Sequence, residues 1–172
     1  GWILIAFFSG FIIQTVIVGG DFVLTLGICG AGAFGSYLLF LKPYVLLFDE
    51  GIKIINPTKE ITATWDLVEE IETKYSMSIQ IRGESYYAWA APAPSGRHSR
   101  RMHSTDLLPG ADAPRRVGDS LKSDSGVCAY MAKIRRKEFT GGRASEFEII
   151  SDNTGLYILA ALLLLGAAAA LF

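Results

Sequence analysis

All sixteen Lys and Arg residues of this 172-residue chain lie between Lys42 and Arg143, so both ends must fold without a cation. The acids, Asp21 apart, fall between Asp49 and Asp152. A chain with apolar ends and a charged middle has few ways to bury its surface: it either hides long apolar helices inside a large core or places them in lipid. With 51% of the residues apolar and a middle segment that reads as a small domain, the second is the expectation. The layout is membrane, soluble, membrane.

Trp2 to Val18 is apolar except for Ser9, Gln14 and Thr15, and Phe22 to Leu41 is apolar with interspersed small residues. Gly19-Gly20-Asp21 joins them, which predicts a helical hairpin with a tight surface turn. Leu156 to Phe172 carries no charge and predicts a third span. The turn has no Lys or Arg, whereas Lys42 follows the second run and Arg143 precedes the third, so the positive-inside rule turns the middle segment to the cytoplasm. The expected location is the plasma (inner) membrane, multi-pass, with the N-terminus inside and the C-terminus outside.

Between Tyr44 and Trp89 the period becomes that of strands. Tyr44–Phe48, Ile52–Asn56, Glu60–Trp65, Glu70–Tyr75, Ser78–Arg82 and Ser85–Trp89 imply six short antiparallel strands, with Gly51 expected to supply a positive φ in the first hairpin and Gly83 turning the last. Pro92 to Lys122, rich in Pro, Gly, Ser and Arg, has no periodicity and reads as a linker. Asp124 or Ser125 then caps a helix in which Val127, Tyr130, Met131 and Ile134 form an apolar stripe expected to close the sheet, with Arg135, Arg136 and Lys137 in its last turns. The organisation is therefore a transmembrane hairpin (1–42), a β-sheet domain (43–91), a basic Pro/Ser linker (92–122), a closing amphipathic helix (123–140), a connector (141–154) and a transmembrane helix (155–172).

Several short motifs carry a resemblance. They are Phe48-Asp-Glu-Gly-Ile52, Thr64-Trp-Asp66 leading to Glu70-Ile71, Ala88-Trp-Ala-Ala-Pro-Ala-Pro94, and Ser123-Asp-Ser-Gly126 opening an arginine-bearing helix. Over residues 44 to 139 the chain resembles actinobacterial membrane proteins with a pleckstrin-homology-like (PH-like) domain, related to the low-molecular-weight protein antigen group. The resemblance implies a PH-like antiparallel β domain after a two-helix hairpin, and no enzymatic activity. A PH barrel has seven strands where six precede the linker here, leaving the seventh either missing or supplied by Glu146 to Ile150. The matching positions are turns and core residues, so no functional residue carries over.

Candidate sites follow from residue type and spacing. Gly27, Ala31 and Gly35 recur every four residues on the second span and Gly166 and Ala170 on the third, giving faces bare of bulk that admit another helix, from a partner or from this chain. Gln14 is a polar group in mid-span, expected to pair within the hairpin. Lys42, Arg97, Arg100, Arg101, Arg115 and Arg116 could lie on anionic headgroups, although Asp106, Asp112 and Asp119 dilute the field and a solvated linker is the competing reading. The acidic runs Asp66–Glu72 and Glu146–Glu148 read as solvated faces, and Tyr86, Tyr87 and Trp89 as a half-buried strand.

His98 and His103 are five residues apart, and no Cys or carboxylate stands at ligand spacing, so neither a metal site nor a hydrolase triad is expected. Cys29 and Cys128 read as structural thiols, and no cofactor is expected. The leading functional expectation is a non-catalytic accessory or scaffold subunit of a larger membrane complex, with an actinobacterial respiratory electron-transfer supercomplex as the concrete candidate. Its partners would be other integral membrane subunits and the lipid bilayer, with no nucleic acid and no small-molecule substrate. The alternatives are a stand-alone membrane-anchored PH-like module that senses anionic lipid, and an enzyme whose site the sequence does not reveal.

Overall fold

The computed structural model describes residues 1–94, 117–141 and 144–171. The chain is α+β and divides into a helical unit, Gly1–Pro43 with Ser151–Phe172, and a β unit, Tyr44–Ile150.

The helical unit contains α1 (Trp2–Val18), α2 (Phe22–Phe40) and a C-terminal helix, Thr154–Ala169, numbered α4 below. The Gly-Gly-Asp turn works through two separate devices. Gly19 takes a left-handed conformation (φ 78°) and its N–H closes α1 onto the Thr15 carbonyl at 3.0 Å. Asp21 caps α2, its carboxylate accepting from the Leu24 N–H at 2.9 Å. Among the described residues one helix, α2, is long and apolar enough to cross a membrane. At 1.5 Å per residue its 19 residues reach about 29 Å. The 17 residues of α1 and 16 of α4 reach only about 25 and 24 Å, against a hydrocarbon core of ~30 Å.

Among the described residues the β unit has seven strands: β1 (Tyr44–Leu47), β2 (Gly51–Ile55), β3 (Lys59–Thr64), β4 (Glu70–Glu72), β5 (Ser76–Ile81), β6 (Glu84–Pro92) and β7 (Phe147–Ser151). They form a four-stranded sheet in the order β1-β2-β3-β7 and a three-stranded sheet, β4-β5-β6. The residues around Glu146 to Ile150, left open by the sequence, thus supply the seventh strand from beyond the helix, at the free edge of β3. Between the sheets, Trp65 opens a single 3₁₀ turn (Trp65–Leu67), is 1% exposed, and donates from its indole N–H to the Phe48 carbonyl at 3.1 Å. Its ring packs in a core with Ile52, Ile54, Ile61, Met77, Ile79 and Ile81.

Gly51 departs from expectation. It is not among the glycines with positive φ but lies in β2, where a Cβ would fall 2.2 Å from the Ala63 carbonyl oxygen. The hairpin needs a residue without a side chain so that β3 can approach. Gly83 does take the positive φ (78°), with Arg82 beside it at 52°.

Helix α3 (Asp124–Glu138) lies over both sheets. Its cap is Ser123 rather than Asp124 or Ser125: the Ser123 hydroxyl oxygen accepts from the Gly126 N–H at 3.0 Å and its O–H is donated to the Ser120 carbonyl at 2.7 Å. Ser125 is buried and donates to the Gly118 carbonyl at 3.0 Å. The expected inward stripe is also reversed. Ser125, Gly126, Ala129 and Ala132 are buried against the sheets, whereas Val127, Tyr130 and Met131 are exposed and Ile134 is half-buried. A Cβ on Gly126 would stand 2.0 Å from the Ser120 oxygen, so the backbone sits too close to admit large side chains underneath.

Candidate functional site

In the helical unit α2 and α4 approach each other backbone to backbone along a glycine seam. Gly27 meets Gly166, where a Cβ on Gly27 would lie 2.3 Å from the Gly166 nitrogen. Gly35 faces Leu159, with its ideal Cβ 3.7 Å from a Leu159 methyl, and Gly155 receives Leu38. As residue number rises along α2 its partner's number falls along α4, so the helices run antiparallel. Gly27, Ala31 and Gly166 are buried, and the small-residue face is therefore occupied by the chain's own helix. Ala170 stays outside this seam as the exposed C-cap of α4. Gly155 belongs to it, a residue the four-residue spacing could not reveal because it lies eleven positions before Gly166.

The second contact of α2 is with α1. The Phe8 ring covers Gly32, where a Cβ would come within 2.6 Å of it. The interhelical hydrogen bond is between the Thr15 and Thr25 hydroxyls, 3.2 Å apart. Gln14 does not pair within the hairpin; it is exposed, on the rim of a shallow depression with Phe11, Thr15, Val18 and Gly20.

Lys42, expected to be available to lipid headgroups, is engaged inside the helical unit. Its ammonium lies 2.8 Å from the Asp152 carboxylate, with side-chain exposures of 16% and 36%. Asp152 also accepts from the Thr154 N–H at 3.1 Å, at the start of α4. The Lys42 ammonium first, and the Thr154 groups after it, hold the Asp152 carboxyl at about 2, below the usual carboxylate range. Arg97, Arg100, Arg101, Arg115, Arg116, His98 and His103 lie outside the described residues.

In the β unit, the four motifs of the resemblance have structural roles. Asn56 bridges to β6, donating to the Tyr87 carbonyl at 2.8 Å and accepting from the Trp89 N–H at 2.9 Å. Within the Trp-Ala-Ala-Pro run, Ala88 and Ala91 are buried and Trp89 is exposed. Tyr86 turns inward and meets Phe147 edge-on at 5.5 Å between ring centroids, while Tyr87 remains exposed. Asp66 accepts from the Ser145 hydroxyl, which lowers its carboxyl pKa. Burial, with Asp124 adding to it, raises the Cys128 thiol to about 11, so it stays protonated at neutral pH and is a poor nucleophile.

No protein-family model, curated protein or solved structure matches the chain.

Proposed function

We propose that the chain is a non-catalytic accessory subunit of a larger membrane complex, held in the bilayer by α1, α2 and α4 and presenting a PH-like β unit at the cytoplasmic face of the plasma membrane. The observation that carries this reading is the exterior of the helical unit. Phe7, Phe11, Ile13, Val23, Ile28, Leu39, Leu156, Leu163 and Leu164 are all exposed, and no charged residue lies within any of the three helices. An apolar surface of that extent is costly in water and ordinary in lipid. The shortfall of α1 and α4 is compatible with spanning, because a few ångströms of mismatch are accommodated by local bilayer thinning at fractions of a kcal/mol per Å.

Two features support a subunit over a solitary protein. Gln14 presents an exposed amide on an otherwise apolar helix, a group that gains from a hydrogen-bonding neighbour in hydrocarbon. Two sheets closed by one helix, with fold-determining motifs accounting for the resemblance, also suit a module whose work is contact rather than chemistry. An actinobacterial respiratory electron-transfer supercomplex is the concrete assembly to examine. The test is extraction of the native membrane in mild detergent, followed by native electrophoresis and mass spectrometry of what migrates with the chain. A large particle with stoichiometric companions is the expected result. A lone chain near its own 18.7 kDa would overturn it and leave the solitary lipid-sensing module.

A further inference from the structure

The Trp and Tyr residues of the helical unit are Trp2, Tyr37 and Tyr157, one on each helix. They lie at one level. An ideal Cβ on Gly1 would stand 2.9 Å from the Leu41 side chain, which sets the start of α1 beside the end of α2. Gly155 receives Leu38 and Gly35 faces Leu159, which sets the start of α4 beside that same end. The three aromatics therefore fall within about one 5.4 Å turn of each other along the helices. All are exposed, Trp2 at 74%, Tyr37 at 45% and Tyr157 at 72%. The Lys42–Asp152 ion pair stands at this end too, where the chain leaves for the β unit and returns from it. At the opposite end the exposed apolar side chains are Val18, Phe22 and Leu171, with no Trp or Tyr among the described residues.

Side chains of this kind are poorly served by either uniform medium. In hydrocarbon the indole N–H and phenol O–H lose their partners, and in water the aromatic bodies stay uncovered. The headgroup layer of a bilayer satisfies both parts, which is why Trp and Tyr collect at membrane–water boundaries. An ion pair at the same level also belongs in that layer rather than in the hydrocarbon. A protein neighbour fits the arrangement less well. The aromatics are distributed over all three helices, with α2 packed against both α1 and α4, so a neighbour would have to wrap the unit at one height to cover them. A lipid layer meets every helix at the same height.

We infer that Trp2, Tyr37 and Tyr157 form an interfacial collar that seats the helical unit in the headgroup layer of one leaflet, the one at which the chain passes into the β unit. The inference rests on the reading of the helical unit as membrane-embedded, and it adds the depth at which that unit sits. The collar fixes the height at which Pro43 and Ser151 emerge from the lipid, and it places the Lys42–Asp152 pair among the headgroups.

The experiment reconstitutes the full chain, labelled with fluorotryptophan, into phosphatidylcholine nanodiscs carrying a nitroxide either on the headgroup or near the end of the acyl chain. It reads the fluorine resonance of Trp2, assigned by its loss in Trp2→Phe. Tyr37→Trp, Tyr157→Trp and Leu164→Trp, introduced singly and all at exposed positions, add two reporters in the collar and one about 10 Å along α4 from it. The headgroup nitroxide is expected to broaden Trp2 and the reporters introduced for Tyr37 and Tyr157 severalfold more than the chain-end nitroxide does, with the order reversed for the reporter at Leu164. An equal or reversed order at the collar overturns the inference. Broadening there by an aqueous gadolinium chelate alone also overturns it, by placing the rings in water, and shielding from all three probes does so by placing a protein on them. A chain that fails to enter the discs at all overturns the membrane reading itself, which separates the two failures.

Discussion

Trp65 shows how much of the β unit can depend on one side chain. It leaves β3, starts the 3₁₀ turn that leads to the second sheet, ties Phe48 through its indole N–H, and fills the space between the sheets. Trp65→Ala removes the largest fully buried side chain among the described residues and takes the indole N–H from the Phe48 carbonyl, which keeps the Gly51 N–H, and this predicts a loss of about 3–5 kcal/mol, read by denaturant unfolding monitored on far-UV circular dichroism. Trp65→Phe, which keeps most of the volume, is expected to lose less. The sequence placed this residue at the end of an alternating run, and its burial between the two sheets became visible only in the structure. Gly51 is a second such case. A glycine in a hairpin suggests a positive φ, and only the 2.2 Å approach of the Ala63 oxygen shows that its missing Cβ is needed for strand packing instead.

At the scale of elements, periodicity located the helices but did not say which way they face. In α3 two stripes share the helical period, one large and apolar, one small; the close approach at Gly126 requires the small one inside. Hydrophobicity alone favoured the other. On α2 the four-residue repeat of Gly27, Ala31 and Gly35 lies toward α4, and the spacing left the occupant open because an internal helix and an external partner need the same small residues. The seam yields a direct prediction. Gly27→Leu places bulk where even a Cβ stands 2.3 Å from the Gly166 backbone, so α2 and α4 must separate. The expected outcome is a loss of about 1–3 kcal/mol, the usual cost of overpacking, seen as earlier thermal unfolding of the full chain in detergent. Gly10→Leu, at an open position on α1, is the control expected to leave the melt unchanged.

At the scale of the whole molecule, the β unit is inserted between two parts of one helical unit, and the Lys42–Asp152 pair closes the insertion across 110 positions of sequence. Asp152 has a folded pKa of about 2, below the ~3.9 of an unfolded aspartate. Its contribution to stability is therefore complete above about pH 4 and is lost as the pH falls toward 2. Melting of the full chain and of Asp152→Asn across that range is expected to show a difference at pH 5 that vanishes near pH 2, an outcome governed by linkage alone. By itself the sequence determined the apolar ends, the charged middle, the succession of six strands and a helix, and the position of nearly every turn, because these depend on local spacing and on residues such as Gly19, Asp21 and Gly83 that act on their own backbone. Only the tertiary structure decided that β7 completes the first sheet, that Lys42 is held by Asp152, that the small face of α2 receives α4, and that α3 turns its large apolar side chains outward, because each is a choice between partners distant in sequence, and distance of closest approach rather than residue type makes that choice.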